Sequence, residues 1–273
     1  MGSLRACACR SAGANPPAAF AGIADGLANS AFAGRARLLI EKPFGTDLSS
    51  ARALRSCLEA QFSSAQIFAV DHYLEKSVVQ SLSLARHDAA LDAHWNSEHI
   101  KSVEIVMAEG FGIEGVDPSS MTETYVRANS RIHNDRWRNV AFRLVSGKAL
   151  AESRISVTVS FRESPSETRG KQVEHGNELV IELAPIASAS VYLPPRPSTD
   201  PTAEKENEVP STVPLHDDEE MGPYARMFDD AFRGEHRWFA RSDVVAESWR
   251  VVQQVLDHAE PSIYEFGSWG PAG

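Results

Sequence analysis

The sequence predicts an α/β part followed by an α+β part: a short parallel sheet with crossover helices, then a large antiparallel sheet with helices. Three observations carry this. Between Pro16 and Lys76 the apolar residues alternate between a helical period and short β-branched runs. From Ile100 to Leu193 short segments rich in β-branched residues follow one another, punctuated by Gly and Pro. Two amphipathic stretches near the end, Tyr224 to Phe232 and Ser242 to Leu256, return to the helical period.

Residues 1 to 15 are rich in Ala, Cys and Gly without periodicity and are expected to be disordered or poorly packed. Phe20, Ile23, Ala24 and Leu27 follow Pro16-Pro17 at helical spacing, which predicts a helix to about Asn29 with its prolines in the first turn. Arg37 to Ile40 reads as a short buried strand. Asp47 is a good N-cap for a second helix with Leu48, Ala51, Leu54, Leu58 and Phe62 on its apolar face. Gln66 to Val70 is the next strand, and Ser77 to Leu84 fits a further helix. This order is that of a parallel sheet with crossover helices.

Beyond it, Val103, Ile105 and Met107 alternate with Ser102, Glu104 and Val106 across a half-buried strand, Ile100 to Ala108. Glu109 to Gly115, with its three glycines, is expected to be a flexible loop. The remaining strands are Thr124 to Ile132, Ala141 to Val145, Ile155 to Phe161, Glu178 to Leu183 and Ser188 to Leu193, read as antiparallel. Arg127, Asn129, Ser130 and Arg131 in the first of these would cost about 1–3 kcal/mol each if buried unpaired, so either that face is exposed or the fold is strained. Pro194 to Pro214 reads as a polar surface loop, and Ser242 as the cap of the last helix.

A chain of 273 residues suffices for one large or two modest domains, and its 42% hydrophobic and 23% charged residues lie near the globular average. The net charge of −10 argues against a nucleic-acid or anionic-membrane partner. An anionic ligand then needs a local positive pocket, for which Lys42, His72, Lys76 and Lys148 are candidates. Cys7, Cys9 and Cys57 are too few and too badly spaced for a disulfide framework, and no Cys/His cluster matches a zinc pattern, so no metal site is expected. No apolar run reaches the length of a membrane span, the first fifteen residues lack the apolar block of a signal peptide, and Ala6 breaks a myristoylation signal. A cytoplasmic protein is the expectation.

The stretch Asp71-His72-Tyr73-Leu74-Glu75-Lys76 lies where a strand hands over to a helix, a common place for ligands in α/β proteins. An imidazole, a phenol and an ammonium beside a helix N-terminus can surround a phosphate with donors and positive charge. The same residues also fit a satisfied strand-end histidine with Tyr73 and Leu74 in the core.

In order along the chain stand Leu38-Leu39-Ile40-Glu41-Lys42-Pro43-Phe44-Gly45, Asp71-His72-Tyr73-Leu74-Glu75-Lys76, Glu109-Gly110-Phe111-Gly112-Ile113-Glu114-Gly115, Asn134-Asp135-Arg136-Trp137 and Ser146-Gly147-Lys148-Ala149-Leu150. This ordered set resembles the glucose-6-phosphate dehydrogenase family, from near Pro16-Pro17 to Gly270-Pro271. The resemblance implies oxidation of glucose 6-phosphate to 6-phosphogluconolactone with hydride transfer to NADP. It assigns substrate contacts to Lys42, His72, Tyr73, Lys76, Glu109 and Lys148, and the edge of a cofactor cleft to Pro17 and Lys42. It also implies a division into 1–75, a partial Rossmann-like NADP-binding domain, and 76–273, an α+β domain whose large sheet forms a subunit interface. A homo-oligomer, or pairing with a full-length paralogue, is therefore expected.

The sequence departs from the family pattern in two places. The Gly-rich fingerprint of the dinucleotide fold, which the family carries well before the Pro-Pro motif, has no counterpart before Pro16. The family's helical segment with the histidine base that takes the C1 hydroxyl proton has no room between Gly115 and Thr122, so no catalytic residue is assigned. His87-Asp88 and Asp92-Ala93-His94 read as solvated positions around a helix end. Glu75 stands where the family has glycine, Ser153 where it has a second basic residue. The expected activity of this chain by itself is weak or absent, and the alternative is a catalytically inactive sugar-phosphate-binding or oligomerisation module.

Overall fold

The computed structural model describes residues 7–9, 17–112, 122–162, 177–192, 211–215, 222–258 and 262–271. Expectations that fall on Pro16, Ile113 to Gly115 and 193–210 lie outside the described residues. The chain forms two compact units, one of Met1–Gln80 with Asp218–Ala259 and one of Ser81–Asp217 with Glu260–Gly273.

The first unit is built on three parallel strands, β1 (Cys7–Cys9), β2 (Leu38–Glu41) and β3 (Ile67–Val70), in that order. β1 corrects one expectation: three of the first fifteen residues, read as unstructured, pair with Leu38 to Ile40. A lone strand without flanking periodicity leaves no pattern, and only its neighbour reveals it. Helices α1 (Pro17–Ala28) and α2 (Leu48–Glu59) connect the strands. Asp47 caps α2 as expected: its carboxylate accepts from Ser50 N–H at 2.6 Å.

The side chains of β2 alternate between two apolar clusters. Leu38 and Ile40 meet Ala24 of α1 with Leu54 and Leu58 of α2, while Leu39 joins Phe68 and Val70 of β3. That second face is covered by α3 (Pro223–Arg233), through Met227 and Ala231, and by Phe239. Helix α4 (Ser242–Leu256) packs on α2, where Trp249 Nε1 donates to Phe44 O at 3.0 Å and Gln253 Oε1 accepts from Leu48 N–H at 3.2 Å. Both C-terminal helices thus belong to the parallel-sheet unit. A parallel sheet is covered on both faces, and the chain must return to supply the second cover. Ser242 is the first residue of α4 and Arg241 its N-cap, with the Arg241 guanidinium on Asp243 at 2.6 Å.

The second unit holds a seven-stranded sheet of β4 (Ile100–Ala108), β5 (Tyr125–Ser130), β6 (Ala141–Gly147), β7 (Arg154–Phe161), β8 (Glu178–Ala184), β9 (Ser188–Tyr192) and β10 (Ser211–Pro214). Their order is β10-β9-β8-β7-β4-β6-β5. The pairing is antiparallel except for β4 with β6, which run parallel and make the sheet mixed. Val103, Val159 and Ile100 are buried with Val140 in one cluster, against Trp95, Trp137 and Phe142. Arg127, Asn129, Ser130 and Arg131 are all exposed on the edge strand β5 and the residue after it, which resolves the polar-strand question in favour of exposure. β10 lies within the stretch read as a loop and pairs with β9.

Candidate functional site

At the carboxyl ends of β2 and β3 the chain leaves the sheet into two turns, Glu41 to Asp47 and Asp71 to Lys76, and these bring the first unit's site residues together. Gly45 adopts φ +91°, and a Cβ there would stand 2.6 Å from Ala51 N, so the turn closes directly on α2. The second turn is organised by Asp71. Its carbonyl accepts from Leu74 N–H at 2.9 Å, and its Oδ1 accepts both Tyr73 N–H at 3.2 Å and Lys42 Nζ at 3.0 Å.

Tyr73 is the centre of the cluster. Lys42 Nζ lies 4.8 Å and Lys76 Nζ 5.6 Å from its ring centroid, and the His72 ring 4.4 Å away. Two ammonium groups and an imidazole thus surround one phenol. Tyr73 and Leu74 are half-buried, so they are not the core pair of the alternative reading. His72 Nδ1 faces Glu41 Oε1 at 3.9 Å, and Glu41 accepts from Tyr224 Oη at 2.9 Å. Burial, and secondly the Lys42 ammonium, hold the His72 imidazole below its ordinary value against the opposing pull of Asp71 and Glu41.

Glu75 is 2% exposed, which its charge alone would not lead one to expect. Gln80 Nε2 lies 3.4 Å from Oε2, while Oε1 has no hydrogen-bond partner. Burial first, and Asp230 second, push its carboxyl up to about 7, with Arg226 opposing. The Glu75 carboxyl is thus buried within the influence of Asp230 and Arg226 of α3.

In the second unit, Glu109 and Lys148 form an ion pair. Lys148 lies in a turn held by backbone bonds: Lys148 N–H to Thr124 O at 2.9 Å, Ala149 N–H to Phe111 O at 3.0 Å and Leu150 N–H to Glu109 O at 3.0 Å. Tyr264 Oη donates to Lys148 O at 2.7 Å, a contact that nothing near residue 148 in sequence announces. Ser153 Oγ accepts from Gly110 N–H at 2.9 Å, and Arg154 is engaged with Glu182 at 3.0 Å, so neither supplies a second basic contact at that turn.

Pro17 opens α1, and its side-chain surroundings lie outside the described residues. Asp92 receives Arg136 at 2.6 Å, and His87 and His94 are exposed, in line with solvated positions. Among the described residues no group of three or more His, Cys, Asp or Glu is placed to hold a metal ion, and no helix is long and apolar enough to cross a membrane. A cavity of about 260 Å³ in the first unit is lined by Ile40, Leu54, Leu58, Ile67 and Phe239 and by none of the candidate binding residues.

Comparison with known proteins agrees with this architecture. Residues 114–273 match the family model described as glucose-6-phosphate dehydrogenase, C-terminal domain, and residues 13–81 that described as glucose-6-phosphate dehydrogenase, NAD binding domain. The chain is similar to glucose-6-phosphate 1-dehydrogenase 1 of Mycobacterium tuberculosis, at 29% identity over 94% of this chain and 70% of that protein. It is similar to the Saccharomyces cerevisiae glucose-6-phosphate 1-dehydrogenase at 27% identity, over 94% and 68%. The alignment with the mycobacterial protein runs over 331 positions, more than the 273 residues of this chain, so the relative carries segments without a counterpart here. Among solved structures, glucose-6-phosphate 1-dehydrogenase from Mycobacterium avium matches with a TM-score of 0.78 at 29% identity, over 94% of this chain and 72% of that one. The first family model alone spans more than half of the sequence, and on that ground the chain belongs to the glucose-6-phosphate dehydrogenase family.

Proposed function

We propose that this chain binds glucose 6-phosphate through the cluster around Tyr73, and that its ancestral reaction, oxidation of that sugar phosphate to 6-phosphogluconolactone with NADP, is weak or absent in the chain by itself. The observation that carries the binding is the convergence of Lys42, His72 and Lys76 on one phenol at the carboxyl ends of β2 and β3, in a chain whose net charge is −10. Convergent donors of this kind are what can hold a phosphomonoester on an otherwise acidic protein. Glu109 and Lys148 are kept as substrate-binding candidates of the second unit, Pro17 and Lys42 as cofactor-cleft candidates.

The match to an NAD binding domain supports a nicotinamide nucleotide as the family's cofactor. The described residues do not fit a pyrophosphate cradle. Of the turns after β2 and β3 only the first contains a glycine, and Gly45 closes on α2 itself. Weak turnover follows from the missing base-bearing segment: loss of a general base costs a factor of about 10² to 10⁴.

A thermal melt of the whole chain with glucose 6-phosphate, and separately with NADP, tests this. The expected result is an upward shift with the sugar phosphate that Lys76→Ala removes, and no sugar-dependent NADP reduction. No shift at any concentration would end the binding reading; steady NADP reduction would end the second half. One observation favours a second reading, an oligomerisation module in the cytoplasm pairing with its own copy or a full-length paralogue. Leu144, Val191 and Val213 share one face of the large sheet and are 40%, 40% and 58% exposed. Light scattering alone and with the paralogue separates it from the first.

A further inference from the structure

The surroundings of His72 say more than that an imidazole is present. Its Nδ1 is sealed from solvent without a hydrogen-bond partner, and Glu41 Oε1 lies 3.9 Å away, just beyond bonding distance. Glu41 is itself held from α3, where Tyr224 Oη donates to the same oxygen at 2.9 Å. The rings of Tyr73 and Tyr224 pack against the imidazole, with centroids at 4.4 and 6.1 Å, and limit its rotation.

Resting on the reading of this cluster as a phosphomonoester site, we propose that Glu41, anchored by Tyr224, is a positioning residue for His72, fixing the proton on Nδ1 and leaving Nε2 to meet the anion. The charged groups facing His72 are Glu41 and Lys42 at the end of β2 and Asp71 and Lys76 on its own turn, while α3 acts through the Tyr224 hydroxyl. Asp71 is engaged by Lys42 at 3.0 Å and by Tyr73 N–H at 3.2 Å. Asp71 and Glu41 both favour the imidazolium, and Glu41 is the one whose oxygen faces Nδ1. A neutral ring offers one N–H; the protonated ring offers two, Nδ1–H to Glu41 and Nε2–H to a phosphate oxygen. Anion binding then draws one proton from solvent onto Nε2, and only that N–H bond is made. Burial and the two lysines disfavour the imidazolium while Asp71 and Glu41 favour it, so removing the Glu41 charge makes the ring harder to protonate and Nε2 a poorer donor to the anion.

Imidazole NMR on the ¹⁵N-labelled full chain tests this directly. The expected neutral tautomer carries its proton on Nδ1, and inorganic phosphate or glucose 6-phosphate raises the titration midpoint. Glu41→Gln should lower that midpoint by about one pKa unit and weaken glucose 6-phosphate binding roughly tenfold near pH 7. In a His72→Gln background the same substitution should change nothing further. Glu59→Gln, which removes a charge on α2, should leave the midpoint unchanged. An Nε2–H tautomer in the unmodified chain, or a His72 midpoint that Glu41→Gln does not move, overturns the proposal. Should Glu41→Gln fail to fold, the tautomer of the unmodified chain still decides it. Failure of the unmodified chain to bind glucose 6-phosphate at any pH from about 5 to 8 ends the phosphate-site reading instead, while tautomer and titration still judge Glu41.

Discussion

Lys42 and Lys148 each stand at the end of a strand against a carboxylate, yet the two turns are built differently. Around Lys148 the backbone does the holding: three main-chain bonds and the Tyr264 hydroxyl lock the loop, and the one ammonium is answered by Glu109. Around Lys42 side chains do it, with Asp71 bridging two turns, Tyr73 between Lys42 and Lys76, and His72 backed by Glu41 and Tyr224. A locked backbone places one charge whose field is already cancelled. The first turn gathers two ammonium groups and an imidazole around one phenol, a larger set of donors for an anion than the single lysine of the second. On the function proposed above, phosphate recognition belongs to the first turn.

The heaviest blow to that turn is remote from it. Phe68 is fully buried at the centre of β3, its ring 4.0 Å from His236 and 4.9 Å from Phe239. Phe68→Ala should lower stability by about 3–5 kcal/mol in denaturant titration and abolish sugar-phosphate binding with it, whereas Leu144→Ala, 40% exposed in the other unit, should cost under about 1 kcal/mol. Equal losses would show that the first sheet is not the support of its turn.

Glu75 gives a pH-dependent version. Its carboxyl is pushed from 4.5 to about 7 in the folded chain, so the folded state binds its proton more tightly than the unfolded one. The resulting stabilisation is complete below about pH 4.5 and is lost as pH rises through about 7. Glu75→Gln, which mimics the protonated form, should therefore be nearly neutral at about pH 5 and stabilising by about 2–3 kcal/mol at about pH 8. Melts showing the same difference at both pH values would mean that the carboxyl is not held as described.

For binding itself, Lys76→Ala should weaken glucose 6-phosphate at least about tenfold by calorimetry, and Lys148→Ala by a few-fold or less. The reverse order would move the phosphate to the second unit. The smallest expected effect is Tyr264→Phe: loss of the bond to Lys148 O should cost about 1 kcal/mol of stability and leave affinity unchanged.

Much of the fold was legible in the sequence because local pattern and tertiary role agree there. Asp47 announces α2, and Leu54 and Leu58 announce the face that α2 buries. The alternation of Val103 and Ile105 with polar residues announces β4. The site was legible as a stretch, since Asp71 to Lys76 carries its chemistry within a few residues. Its partners were not: Tyr224 and Arg226 come from a helix far along the chain, and neither looks different from any other polar residue on an amphipathic helix. The depth of Glu75 was also hidden, because a carboxyl beside a lysine reads as surface until a helix is laid over it.

The sequence alone determined the order and kind of most elements, the family, and the set of donors that can meet a phosphate, because these depend on spacing along the chain and on side-chain type. Tertiary structure decided that α3 and α4 close the parallel sheet, that β4 and β6 run parallel, and that Glu41 and Asp71 divide the work of balancing the cations. Those outcomes depend on which surfaces must be buried together and which charges then share low-dielectric space, and neither quantity is a property of any one segment.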